Sequence, residues 1–136
     1  MIGQYFKISE YDWEIMVYYG VTKNDIDFCL KQLNKLTTLN KHKKECVNTL
    51  YNDDKDRAYT YSSFRLKASV IFIGIPSSTG GLINTITHEA NHIKSHIATV
   101  YDLDEKDEDV CYIIGEVVEE MSKIFIPHIC NKNLIF

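Results

Sequence analysis

The spacing of apolar residues divides the chain into a few well-marked elements. Trp13–Val21 concentrates β-branched and aromatic residues and predicts a strand. Thr22-Lys23-Asn24-Asp25 follows with the form of a helix N-cap and an acid in the first turn, and Ile26, Cys29, Leu30, Leu33 and Leu36 then recur on one helical face. Leu39–Arg57 is polar, carries both signs of charge and offers only Val47, Leu50 and Tyr51 for burial; it reads as a long connection with at most one helical turn. Ala58–Tyr61 and the nearly continuous apolar run Leu66–Ile75 predict two more strands, the second ending at Pro76. The turn residues Pro76-Ser77-Ser78-Thr79-Gly80-Gly81 break the pattern. Beyond them Ile83, Ile86, Ala90, Ile93 and Ile97 take steps of three and four, which places Asn84–Thr99 on an amphipathic helix. A last helix is expected over Lys106–Ile124, with Val110, Ile113, Ile114, Val117, Met121 and Ile124 on its apolar side and Pro127 as its stop. Strands and helices segregated in this way give an α+β class, and 136 residues suit a single domain, residues 1–136.

Composition narrows the function classes. A hydrophobic content of 45% and a charged content of 25% are those of a soluble globular protein. A net charge of −4 argues against nucleic acid as partner, because that binding needs a basic face to release counterions; Lys41-His42-Lys43-Lys44 is read as a solvated loop. Cys29, Cys46, Cys111 and Cys130 form no C-x-x-C pair, so neither a zinc ribbon nor a redox motif is written, and the thiols are expected to be free, with Cys29 and Cys111 buried in apolar runs. Met1–Glu10 has no basic segment followed by an apolar stretch and no run approaches a membrane span, so a cytoplasmic location and no membrane partner are expected.

The candidate chemistry sits at His88-Glu89-Ala90-Asn91-His92, which reads H-E-x-x-H. On a helix, residues four apart lie on one face, so the two imidazoles can converge on one ion, and Glu89 can reach a water beside it. Two neutral imidazoles suit Zn²⁺, and a carboxylate next to water can act as general base. Such a site lacks a third ligand. His96 lies a further turn along, about 12 Å from His88 on a straight helix, which is too far for the same ion; it is read as a surface histidine. Glu116, on the last helix, would stand level with Ala90 in an antiparallel pair turning near Leu103, with Glu120 one turn beyond it. Glu108 opens that helix and would need a tilted approach. The acids between Tyr101 and Asp109 lack the glycine an EF-hand turn requires and are read as a solvated turn.

In these residues the chain resembles the zincin metallopeptidases of the gluzincin type, in which H-E-x-x-H is completed by a glutamate on a following helix. More narrowly it is similar to small H-E-x-x-H proteins of bacteriophages and prophages of gut bacteria, where an E-x-x-[A/C]-Y-x-x-G segment follows, matched here by Glu108-Asp109-Val110-Cys111-Tyr112-Ile113-Ile114-Gly115. The resemblance covers about residues 58–118. It implies a small zincin-like fold, Zn²⁺ as cofactor, Glu108 as third ligand, and a strand beside the cleft, here Ser69–Ile75, that pairs with an extended peptide or protein substrate. Hairpin geometry alone favours Glu116, and the sequence leaves that choice open. The expected activity is zinc-dependent peptide-bond hydrolysis with Glu89 as base, in a bacterial or phage-infected cell, with Tyr112 as a packing residue. The rival expectation is a non-catalytic phage or host-interaction protein in which a metal, if bound, ties two helices together.

Overall fold

The sheet is built outward from Trp13–Tyr19 (β2), whose alternate residues are buried on opposite faces. Trp13, Ile15, Val17 and Tyr19 enter one core and Tyr18 enters another. In a computed structural model, which describes residues 1–52 and 54–130, β2 is flanked by Ile2–Ile8 (β1) and by Ala68–Ile73 (β4), and Ala58–Ser63 (β3) closes the order β1-β2-β4-β3. β1 and β2 pair antiparallel from Ile2 opposite Tyr19 to Ile8 opposite Trp13, β2 and β4 run parallel with Glu14 opposite Ala68, and β3 returns antiparallel on β4 with Ala58 opposite Ile73. A parallel pair requires a crossover and cover on both faces. The crossover carries Ile26–Asn34 (α1) and Asn40–Tyr51 (α2), whose Cys29, Leu33, Cys46 and Leu50 pack against Tyr18, Val70 and Phe72.

The other face is covered by Thr79–Tyr101 (α3) and Glu108–Phe125 (α4). Their buried residues, Leu82, Ile86, Ala90, Ile93 and Ile97 on α3 and Val110, Ile113, Val117, Met121 and Phe125 on α4, keep the steps of three and four that the sequence displays. The α3 entry is fixed locally: Ser78 Oγ accepts the Gly81 amide at 2.8 Å, and the Asp56 carboxylate takes both the amide and the hydroxyl of Ser77. A side chain at Gly81 would displace this arrangement, because a Cβ would stand 2.7 Å from Asp56 Oδ1. The α+β class is as expected, and none of the helices among the described residues is long and apolar enough to cross a membrane.

Several expectations need correcting. Met1–Glu10 holds a full strand, β1. Leu39–Arg57 is mostly a 12-residue helix, α2, and not a connection. β4 lies between β2 and β3, so Ser69–Ile75 has no free edge to offer a peptide. α4 ends at Phe125 and the backbone continues through Pro127 in a π turn, Ile126–Cys130. Cys29 and Cys46 are buried free thiols, their pKa values pushed up to about 12 by burial, but Cys111 is exposed; the Cys130 side chain lies outside the described residues. Tyr112 is 66% exposed, not buried in the packing of α4 as expected.

Candidate metal centre

One stripe of α3 carries the chemistry. His88 and His92 are exposed on successive turns with their Nε2 atoms 3.2 Å apart and ring centroids at 4.8 Å. Glu89 is only 5% exposed, and its carboxylate accepts the hydroxyl hydrogen of Thr60 on β3. One ligand atom from each of His88, Glu89 and His92 lies within 4.8 Å of the others, and this is the one group of three or more such residues among those described. The donor set fits a metal: two zinc–nitrogen bonds at a tetrahedral angle hold their nitrogens roughly 3.3 Å apart, close to the observed 3.2 Å.

α3 lies over the β3 end of the sheet and α4 over the β1 end. At 100° per residue, Glu89, His92 and His96 fall on the flank of α3 that looks toward β3, with His88 just above them. Their contacts agree: Glu89 meets Thr60, and His96 meets Ser62 and Phe64. The opposite flank packs on α4. The structure therefore brings His88, Glu89 and His92 together and leaves both α4 glutamates outside the group. Glu108 is exposed in the first turn of α4. Glu116 faces the β1–β2 turn, where burial and then the charges of Glu10, Glu120 and Glu119 raise its pKa above the usual carboxylate range.

The sequence reading overlooked Thr60 and Ser62 and took His96 for a surface histidine. Thr60 and Ser62 are two apart on β3 and so point to the same side, while Glu89 and His96 are seven apart on α3 and share a face. Each strand hydroxyl holds one helix side chain. Ser62 Oγ is 2.6 Å from His96 Nδ1 and 2.7 Å from Ser69 Oγ, which accepts the indole N–H of Trp13 at 2.8 Å. His96 is thus half-buried and anchored, its pKa lowered first by burial and then by His92, and its ring stands 6.2 Å from that of His92 at 26°. The alternation Tyr59-Thr60-Tyr61-Ser62 was the available signal. A hollow of about 200 Å³ lined by Tyr5, Glu14, Tyr18, Gln32 and Lys35 lies beside α1; of these groups it includes Ser69 but neither the histidines nor Glu89.

In comparisons with known proteins, the chain matches no family model, no curated protein and no solved structure.

Proposed function

We propose that the protein is a zinc-dependent peptidase of zincin type, with His88 and His92 as metal ligands and Glu89 as general base. The observation that carries the reading is the convergence of both imidazoles beside a buried carboxylate that a strand hydroxyl holds in place. Zinc bound there would polarise a scissile carbonyl and acidify water. Glu89 would take a proton from such a water and return it to the leaving amine, with the Thr60 hydroxyl holding its carboxylate in place. The free edge next to the group belongs to β3, not β4, so an extended peptide would add as a strand along Ala58–Ser63.

The three residues of the group all come from α3, so an ion held by them would join no second element, which weighs against the rival in which a metal ties two helices. A structural zinc also closes four positions with protein ligands. The Nε2 spacing equally suits a direct hydrogen bond between the two rings, so the first measurement is metal content of protein purified without a histidine tag. The decisive one is hydrolysis of casein by the zinc-loaded chain. Glu89→Gln should retain zinc and lose about 10²–10⁴-fold in rate. A zinc-loaded parent that cuts no peptide in a broad library refutes the proposal.

A further inference from the structure

The Trp13–Ser69–Ser62–His96 chain has a direction. An indole N–H only donates, so Ser69 Oγ accepts from Trp13 and has its own hydrogen to place. Ser69 is 3% exposed and its other partner is Ser62. Ser69 must therefore donate to Ser62, since the reverse would leave a buried hydroxyl hydrogen without an acceptor, at the cost of its desolvation. Ser62 in turn donates to His96 Nδ1. A ring whose Nδ1 accepts carries its proton on Nε2. Among the described residues that Nε2–H has no hydrogen-bond partner, although the ring is half-buried and stands beside His92.

We propose that His96 is a substrate-binding residue of this site, locked by the serine chain as the Nε2–H tautomer so that it donates to a carbonyl oxygen of a peptide lying along the β3 edge beside α3. The proposal rests on the peptidase reading for the identity of the ligand. Ser62 and Ser69 are positioning residues that act through the ring. Phe64 packs against the imidazole with ring centroids 5.5 Å apart.

Two measurements test it. In long-range ¹H–¹⁵N spectra of the zinc-loaded protein, His96 should show a bare Nδ1 and a protonated Nε2, and Ser62→Ala should turn this into a mixture of tautomers. A proton on Nδ1 in the parent, or a ring indifferent to Ser62→Ala, overturns the proposal. Binding is then read in the inactive Glu89→Gln background with an unstructured casein-derived peptide. His96→Phe, which keeps a flat ring and removes the donor, should weaken binding about 3- to 10-fold, the worth of one neutral hydrogen bond; His96→Gln, which restores an N–H, should recover most of it, with zinc content equal throughout. Equal binding by His96→Phe overturns the proposal even if the parent is an active peptidase. If the parent cuts nothing but binding still follows the donor at position 96, the peptidase reading fails and the binding role of His96 stands.

Discussion

Glu89→Gln keeps the length of the side chain and an oxygen that can accept from Thr60, and removes the charge. The zinc-free variant should therefore melt within about 1 kcal/mol of the parent, the difference between a charge-assisted and a neutral hydrogen bond. For a chain of this length 1 kcal/mol corresponds to roughly 3–4 °C in Tm. Zinc at a hundred times its Kd stabilises a folded protein by about 2.7 kcal/mol, so the parent should gain roughly 8–11 °C. A residue beside a metal that does not ligate it typically changes affinity by about 10- to 100-fold when altered, which removes about 1.4 to 2.3 kcal/mol and leaves the variant between about a seventh and a half of the parent's shift. A lost ligand behaves otherwise. His88→Ala and His92→Ala should show no zinc-dependent shift at all, because one imidazole cannot hold the ion alone. Differential scanning calorimetry of the four proteins, with and without zinc, reads the whole comparison. If the Glu89→Gln shift collapses to that of His88→Ala, Glu89 is the third ligand and cannot be the base, and the mechanism proposed above is refuted.

The remaining predictions concern α4. Glu108→Gln and Glu116→Gln should each bind zinc within about twofold of the parent by isothermal titration, since neither carboxylate belongs to the group on α3; a tenfold loss in either would mean that α4 supplies a ligand. Glu116 also gives a pH signature. Its pKa is raised in the folded chain by burial and by Glu10, Glu120 and Glu119, so between the ordinary carboxylate value and the raised one the folded state binds more protons than the unfolded state, and stability falls as pH rises through that window. Glu116→Gln should then be more stable than the parent at pH 7 by about 0.5 kcal/mol, the scale of like-charge pairs on a helix, with the advantage gone below about pH 4. Equal melting at pH 7 would count against it.

What the sequence disclosed follows from where burial is one-sided and strongly periodic. β2, α1, β3, β4, α3 and α4 each carry a run of apolar residues at the period of their element, and the three residues of the metal group were legible because a helix makes their spacing meaningful. β1 was missed because its inward positions, Ile2, Gln4, Phe6 and Ile8, include a glutamine that bonds Tyr19 and the α4 backbone, while Tyr5 occupies the outward side. α2 buries only Cys46 and Leu50 and lacks a side-chain cap at Leu39; it is held by β3, through the Tyr59 hydroxyl on the His42 carbonyl and the His42 ring against Tyr61. Such docking is tertiary and leaves no periodic trace. The third ligand was left open in the sequence for a related reason. Level along a helix pair is readable from sequence, but the flank that a side chain occupies depends on which strand lies beneath each helix, and α3 turns Glu89 and His96 toward β3.

The parallel pairing of β2 with β4 has a kinetic consequence. The β1–β2 and β3–β4 hairpins join neighbouring segments and can close on a scale of roughly 1–10 μs. Glu14 and Ala68, by contrast, are partners 54 positions apart in the chain, and such non-local pairing is slow because loop entropy must be lost before the contacts form. Thr60, Ser62, Ser69, Glu89 and His96 all lie in one contiguous stretch, and only Trp13 must come from the far side of that loop. It is the sole tryptophan of the chain, and in the folded protein it is fully buried with its indole on Ser69. Its fluorescence during refolding is thus a natural clock for the moment when the sheet closes and the last anchor of His96 falls into place.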